Sequence, residues 1–253
     1  MKTSGGSDAA KRRAGESAAE AVEDGDVVGL GTGSTAAHAI RAIGRAVDGG
    51  LDVRGVPTSF ASRELALACE IPLVGLDEAV GPGTEEASDG APDGIDVSAG
   101  IDVSAGIDVA IDGADQVAGG DLIKGGGAAH AREKVVDAAA DRFLVVADPS
   151  KEADALDRPI PVEVLPSARS VVAETVHTAG GRPELRRAER KDGPVVTDNG
   201  NLVLDCAFGT IDDPEGLATT LSRTPGVVEH GLFVGLADEV HVGTPDGVRV
   251  TRM

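Results

Sequence analysis

Short runs of apolar, β-branched residues alternate along the first 150 residues with longer segments whose apolar positions follow helical spacing. Strands are predicted at residues 26–30, 52–56, 72–76, 107–111 and 143–147. Helices are predicted at residues 8–24, 36–47, 59–69 and 128–140. This alternation predicts a parallel sheet covered by helices, which is a Rossmann-like α/β fold.

The chain changes character after Pro159 and Pro161, where the predicted order becomes β-α-β-β-α-β. The strands are predicted at residues 161–165, 183–189, 201–208 and 227–233, and the helices at residues 168–180 and 213–226. This order is the split βαβ pattern of ferredoxin-like folds, and a hairpin at 239–252 then returns to the first sheet. We therefore predict a catalytic α/β domain from residues 1–158 plus 237–253, and a smaller α+β domain from residues 159–236 inserted before the C-terminal strands.

A stretch rich in Gly, Asp, Glu, Ser and Pro separates the third and fourth predicted strands. It contains GIDVSA twice, at residues 94–99 and 100–105, followed by GIDVA at 106–110. So few copies cannot build the turns that a β-helix needs, and we expect an expanded loop at 81–105. The copies would allow the strand to slip by six residues, but only one register joins the following DGAD segment without an insertion.

The acidic composition restricts the classes of partner. The formal net charge is −20 and the chain has no Trp or Tyr, which argues against nucleic acid, because that partner needs a basic face and aromatic rings. Six lysines stand against seventeen arginines, a balance that suggests adaptation to high salt. Where lysines are this sparse, Lys11, Lys124 and Lys151 become stronger candidates for a function.

Nothing in the sequence predicts export or membrane insertion. The N-terminal residues lack an apolar signal core, and no apolar run approaches the roughly 20 residues of a membrane span. Cys69 and Cys206 lie far apart and form no metal or redox motif, so we expect free thiols without a disulfide or zinc. A cytoplasmic protein is expected.

The first candidate motif is the GLGTGST segment at residues 29–35, between a predicted strand and a predicted helix. Glycine turns in this position present N–H groups and the helix dipole to an anion, and Ser34 and Thr35 add hydroxyl groups. The spacing fits neither the dinucleotide pattern nor the Walker loop. A phosphate or sugar site and a plain turn capped by Ser34 or Thr35 both stay open.

The second motif is Asp112-Gly113-Ala114-Asp115, which follows the strand at 107–111. Small residues between two acids allow both carboxylates to reach one point, where they could bind hydroxyl groups or exchange protons. A metal site and a solvated turn are the alternatives, although the calcium pattern D-x-D-x-D-G is missing.

The third motif is Lys124 followed by three glycines and, further on, Glu133. Consecutive glycines are costly to order, which indicates close approach of the backbone to a ligand. Glu133 could act as a base and Lys124 could stabilise an oxyanion. The alternatives are a flexible loop with a surface charge cluster, or His130 as the base. Lys151, in the loop after the strand at 143–147, could hold a phosphate or sugar oxygen, or be an exposed lysine.

Taken together, these segments resemble the A-type ribose-5-phosphate isomerase family. GTGSTAAHAI, DGAD, KGGGAA followed by REK, and DPSK stand in the family's order and spacing, as do LPSARSVV, GGRPELR, VVTDNGN and GTPDGV. The resemblance covers nearly the whole chain. The chain departs from the family pattern at the 81–105 insertion and at Gln116, a position where the family often has an acid.

The resemblance implies a set of site residues. Its catalytic residues would be Glu133, as proton acceptor, with Asp112, Asp115 and Lys124. The substrate would contact Thr32, Gly33, Ser34, Thr35, Asp112, Gly113, Ala114, Asp115, Lys124, Gly125, Gly126, Gly127, Lys151 and, as a looser match, Lys11.

The resemblance also implies a reaction, the interconversion of D-ribose 5-phosphate and D-ribulose 5-phosphate through an enediolate. A carboxylate can move the proton between C1 and C2, so neither a cofactor nor a metal is expected. The partner would be a phosphosugar, with no nucleic acid or membrane, and a homodimer or homotetramer is expected. A non-catalytic sugar-phosphate sensor on the same fold is the alternative.

Overall fold

A computed structural model describes residues 6–80, 106–190 and 192–253 of the chain. The helices are α1 (Asp8–Ala19), α2 (Ala36–Asp48), α3 (Phe60–Ala68), α4 (Leu76–Val80), α5 (His130–Ala139), α6 (Arg169–Thr178) and α7 (Pro214–Ser222). The first strands are β1 (Val27–Leu30), β2 (Arg54–Pro57), β3 (Ile107–Gly113), β4 (Gln116–Ala118), β5 (Asp121–Ile123) and β6 (Ala140–Ala147). The later strands are β7 (Ile160–Val164), β8 (Arg182–Leu185), β9 (Leu202–Ala207), β10 (Val227–His230), β11 (Leu232–Phe233), β12 (Glu239–Thr244) and β13 (Gly247–Arg252). The predicted loop at 81–105, with its two full GIDVSA copies, lies outside the described residues.

The central sheet has six strands in the order β13-β12-β6-β3-β1-β2. All neighbours are parallel except β12 and β13, which form the predicted C-terminal hairpin. Leu30 lies opposite Ile111 and Gly113 lies opposite Val146, so the loops after β1, β3 and β6 leave the same edge of the sheet together. The predicted α/β class is confirmed, and this edge is where parallel sheets bind ligands.

Helix α1 lies directly on the central sheet. Ala10, Ala14 and Ala18 recur at intervals of four residues and are all buried, as expected for one helix face. A side chain at Gly243 of β12 would come within 1.9 Å of the Ala10 carbonyl oxygen. Small residues on both partners therefore permit this close contact, which carries Lys11 to the edge of the sheet.

The second sheet has four antiparallel strands in the order β10-β7-β9-β8. Helices α6 and α7 pack against it around a core that includes Val162, Val176, Leu204 and Leu221. The predicted β-α-β-β-α-β order with a split βαβ topology is confirmed.

A third, three-stranded sheet, β11-β5-β4, was not predicted from the sequence. The single strand predicted at 227–233 is wrong, because the chain changes sheet at Gly231 between β10 and β11. Any side chain at Gly231 would lie 2.1 Å from the Lys124 carbonyl oxygen, and the Lys124 N–H donates to the Gly231 carbonyl at 2.8 Å. This contact bends the strand and ties it to the Lys124 loop.

Several further boundaries differ from the predictions. The strand at 72–76 is reduced to one bridge between Leu73 and Gly55, and Leu76 already begins α4. Helix α1 ends at Ala19, because the backbone hydrogen bonds of the next turn join residues three apart, as in a 3₁₀-helix. Helix α5 begins at His130, because Ala128 has a left-handed backbone with φ of 62°.

The described ranges contain no helix with the length and apolar character of a membrane span.

Candidate active site

A cavity of about 320 Å³ opens at the carboxyl ends of β1, β3 and β6. Its wall consists of Lys11, Thr32, Gly33, Ser34, Thr35, Gly113, Ala114, Asp115, Lys124, Gly125, Gly126, Gly127, Glu133 and Lys151. The structure thus brings together every site residue that the resemblance implies except Asp112, which lies behind the wall.

Asp112 connects the loops after β1 and β3 from beneath the cavity. Its Oδ1 accepts from the N–H groups of Thr32 at 2.9 Å and Gly113 at 2.6 Å, and the side chain is fully buried. Burial raises the pKa of Asp112, while Lys124 and these N–H groups oppose the rise. A side chain at Gly31 would lie 2.3 Å from the Asp112 carboxylate, so glycine is required there.

The Lys124 ammonium lies at the centre of a buried cluster of carboxylates. Its Nζ is 2.9 Å from Oδ2 of Asp112 and 3.6 Å from both Oε2 of Glu133 and Oδ2 of Asp137, and it donates to the Gly113 carbonyl at 2.6 Å. Burial alone would lower the pKa of Lys124, but the three carboxylates outweigh it and raise that pKa. Lys124 is therefore a permanent cation.

Glu133 is the carboxylate of this cluster that reaches the cavity. It lies in the first turn of α5 and is only 4% exposed, which rules out the surface charge cluster considered above. Burial raises the pKa of Glu133 to about 8, Lys124 opposes the rise, and the charges of Asp112 and Asp115 add to it. A carboxyl group with a pKa near the working pH is suited to both accepting and returning a proton.

Asp137 completes the cluster and was missed in the sequence. It follows Glu133 by four residues on α5, so both side chains lie on one face of the helix. Neither carboxylate oxygen of Asp137 has a hydrogen-bond partner among the described residues, and burial raises its pKa well above the usual value. The four-residue spacing was the available signal, but only the burial of that face makes it significant.

The glycine loop between Lys124 and α5 is shaped by two close contacts. Gly126 N–H donates to Oδ2 of Asp115 at 2.6 Å, and a side chain at Gly126 would meet that carboxylate at 2.7 Å. Gly125 has a φ of 99° and lies against His130.

His130 was the alternative candidate for the base. It is fully buried, its Nε2 faces the Glu229 carbonyl, and burial lowers its pKa to about 3. A neutral histidine outside the cavity wall is not placed to act as the base.

Two hydroxyl groups fix the turn after β1. Thr32 Oγ1 lies 2.9 Å from Thr58 Oγ1 and donates to Ser59 Oγ at 2.7 Å. The sequence prediction missed Thr58 and Ser59, which follow β2 on the neighbouring strand. Gly33, with a φ of 119°, then turns the chain into α2, so this helix begins directly after the cavity-lining residues 32–35.

The cavity also contains two cations, Lys11 from α1 and Lys151 from the short helix after β6. Burial lowers the pKa of Lys151, and the carboxylates of Asp115 and Asp148 oppose that change. Within the described ranges, no group of three or more His, Cys, Asp or Glu side chains is arranged to hold a metal ion. Asp112, Glu133 and Asp137 lie close together, but they surround the Lys124 ammonium.

The fold and the cavity together define an α/β enzyme with acids, lysines and backbone N–H groups gathered at the carboxyl edge of its sheet. Residues 79–247 match the family model of ribose 5-phosphate isomerase A (phosphoriboisomerase A). Ribose-5-phosphate isomerase A of Halorubrum lacusprofundi is 72% identical over 255 residues, with 100% of both chains covered. The chain belongs to the ribose-5-phosphate isomerase A family and is a sugar-phosphate isomerase.

Solved structures agree with this assignment. The structure of ribose 5-phosphate isomerase A from Methanocaldococcus jannaschii has a TM-score of 0.83 at 42% identity, covering 96% of this chain and 98% of that chain. A D-ribose-5-phosphate isomerase in complex with phospho-erythronic acid has a TM-score of 0.83 at 39% identity, covering 96% and 97%.

Proposed function

We propose that the enzyme interconverts D-ribose 5-phosphate and D-ribulose 5-phosphate through an enediolate, as a step of the non-oxidative pentose phosphate pathway. The observation that carries this proposal is the position of Glu133, which is buried 3.6 Å from the Lys124 ammonium and faces a cavity lined by lysines, Asp115 and glycines. The family membership supports the substrate class, and the geometry supports a proton-transfer reaction.

Glu133 is proposed as the base that moves the proton. Its carboxylate takes the proton from C2 of the open-chain aldose, and the electron pair moves onto the C1 carbonyl oxygen to form the enediolate. Glu133 then returns the proton to C1, while the proton of the O2 hydroxyl is transferred to O1. One C–H proton and one O–H proton change places, so the reaction needs no net oxidant or reductant.

The charge that develops on O1 and O2 needs donors, for which we propose Lys124 and the N–H groups of the glycine loop. Because Lys124 is 1% exposed and forms part of the cavity wall, its charge acts through Glu133 and Asp112 as well as on the substrate. Asp115 is proposed to hold a sugar hydroxyl, and Asp112 or Asp115 to assist opening of the furanose ring.

The phosphate end is assigned to the turn at residues 32–35 together with Lys11 and Lys151. The positive end of a helix dipole attracts anions, and two lysines add positive charge to an acidic protein. The binding of phospho-erythronic acid by a neighbour that is 39% identical supports a site for a phosphorylated sugar chain.

The proposal is tested by following ribulose 5-phosphate formation from ribose 5-phosphate in molar KCl, with and without EDTA. We expect turnover in both conditions and at least a hundredfold loss in Glu133→Gln. Loss of activity in EDTA that Mg²⁺ restores would favour the metal interpretation of the aspartates. Binding of ribose 5-phosphate without any turnover would favour the sugar-phosphate sensor.

Three expectations from the sequence stay predictions. They are the division into residues 1–158 plus 237–253 and residues 159–236, the assembly into a homodimer or homotetramer, and the cytoplasmic location.

A further inference from the structure

Arg186 connects the four-stranded sheet to the glycine loop of the cavity. It directly follows β8, and its Nη1 donates to the carbonyl oxygens of Gly125 at 2.9 Å and Gly126 at 3.4 Å. The side chain is 11% exposed, so these bonds are shielded from water. No motif in the sequence assigned this arginine a role, although it lies within the GGRPELR segment.

Asp205, on the adjacent strand β9, holds the guanidinium in place. Its Oδ2 accepts from Nε of Arg186 at 2.9 Å and its Oδ1 accepts from Nη2. Such bidentate pairs between arginine and carboxylate fix the plane of the guanidinium as well as its position. The remaining nitrogen, Nη1, is therefore directed at the glycine loop by a rigid support.

The carbonyl bonds determine where the loop's N–H groups point. In a trans peptide unit the C=O and the following N–H point in opposite directions. The unit that starts with the Gly125 carbonyl obeys this rule, because its N–H, on Gly126, donates to Asp115 at 2.6 Å. In the next unit, the hold of Arg186 on the Gly126 carbonyl turns the Gly127 N–H away from the arginine.

The Gly127 N–H has no acceptor among the residues that the structure describes, and Gly127 lines the cavity. We propose that Arg186 is a positioning residue for the isomerisation, which orients the glycine loop so that the Gly127 N–H meets an oxygen of the phosphosugar. This inference rests on the proposed function. It assigns the four-stranded sheet a part in the active site through Arg186 and Asp205.

The test is chemical rescue of Arg186→Ala by guanidinium chloride at millimolar concentrations, well below denaturing levels. Misplacement of a binding group by about 1 Å can reduce a rate on the order of a hundredfold, so we expect kcat/KM to fall roughly 10- to 100-fold. Guanidinium should restore most of the lost kcat/KM in Arg186→Ala. It should restore nothing in Arg186→Met, whose side chain fills the space.

Arg249→Ala is the matched control, because Arg249 also pairs with a carboxylate, that of Glu152, but on the exposed strand β13. It should keep wild-type kcat/KM and show no response to guanidinium. Asp205→Asn, which keeps the arginine but loosens its support, provides a second route if Arg186→Ala does not fold. Asp205→Asn should lower kcat/KM by a smaller factor than Arg186→Ala.

Wild-type kcat/KM in Arg186→Ala, or a loss that neither guanidinium nor Arg186→Lys relieves in a folded protein, would overturn the inference. An unchanged kcat/KM in Asp205→Asn would also overturn the inference. These outcomes differ from a failure of the proposed function, which would appear as wild-type enzyme that does not isomerise ribose 5-phosphate. Glu133→Gln serves as the internal check, since guanidinium should not restore its activity.

Discussion

Nζ of Lys124 lies 2.9 Å from Oδ2 of Asp112, and the two side chains are 1% and 0% exposed. The same ammonium is 3.6 Å from Glu133 and from Asp137, so one cation serves three buried carboxyl groups. Buried charges are tolerated only when they are paired. The cluster therefore links the stability of the fold to the protonation of the proposed base.

Replacing Lys124 by Met should reduce the free energy of unfolding at pH 8 by about 3–5 kcal/mol, because breaking a buried pair leaves uncompensated charge. The loss should be smaller at pH 5, where the carboxyl groups can take up protons. Urea unfolding at both pH values measures the difference. Arg249→Met, which removes an exposed pair with Glu152, is the control and should cost less than about 1 kcal/mol. Equal losses in the two variants would contradict this account.

Glu133→Gln should stabilise the protein at high pH while abolishing activity. The pKa of Glu133 is raised to about 8 in the folded state from an ordinary value of 4.5, so folding favours the protonated form. Stability from this group is fully present below pH 4.5 and is lost as the pH rises through 8. At pH 9 we expect Glu133→Gln to be more stable than wild type by a few kcal/mol, since each pKa unit is equivalent to about 1.4 kcal/mol.

Urea unfolding between pH 4 and pH 9 checks this prediction, and the difference between the two proteins should disappear at the acid end. Glu16→Gln, which alters an exposed pair with Arg45, should leave the pH dependence of stability unchanged. The interpretation fails if wild type is the more stable protein at pH 9.

Asp137→Asn should be tolerated much better than Asp112→Asn. Neither oxygen of Asp137 has a hydrogen-bond partner among the described residues, and the Lys124 ammonium is 3.6 Å away; burial raises the pKa of Asp137 well above the usual value, so folding favours its protonated form. An amide has nearly the same shape, and we expect a change in unfolding free energy below about 1 kcal/mol. In Asp112→Asn the amide would face Lys124 or two N–H donors, at a cost of about 3 kcal/mol. Comparable losses in the two variants at pH 7 would contradict this prediction.

Much of the cavity could be predicted from the sequence because its residues lie in loops with strong local signals. Glycines between a strand and a helix, at 31–33 and 125–127, indicate close backbone approach wherever they occur. The alternating strands then place those loops at one edge of a sheet. The position of Lys151 in the loop after β6 follows from this order. Lys11 was expected there only from the family resemblance, and it reaches the edge because α1 packs closely on β12 at Gly243.

What could not be predicted depends on burial and on contacts between distant segments. The burial of Lys124 arises only when the surrounding sheets cover it, and Asp137 looks like a surface residue on a helix until that face is buried. The change of sheet at Gly231 depends on the carbonyl oxygen of Lys124, more than 100 residues away in the chain. Arg186 likewise acquires its contacts only when two separate sheets meet.

Gly127→Ala and Gly126→Ala should separate substrate binding from folding. A methyl group at Gly127 would lie 3.8 Å from Thr32 Cγ2, which is ordinary contact, whereas at Gly126 it would lie 2.7 Å from Oδ1 of Asp115. Gly127→Ala should therefore keep wild-type stability and raise KM, with up to about a tenfold loss of kcat/KM, equivalent to 1.4 kcal/mol. Gly126→Ala should lose both stability and kcat. Thermal unfolding and steady-state kinetics of the two variants check this prediction. A lower stability of Gly127→Ala than of Gly126→Ala would contradict it.

The central claim is that Glu133 carries the proton between C2 and C1, and exchange at C2 tests it most directly. Ribose 5-phosphate deuterated at C2 is incubated with each enzyme, and NMR follows loss of the label from C2. Wild type should lose deuterium in step with ribulose 5-phosphate formation. Glu133→Gln should still bind the phosphosugar while its exchange falls by roughly 10²–10⁴-fold, the usual contribution of a general base. Exchange near the wild-type rate in Glu133→Gln would contradict the assignment.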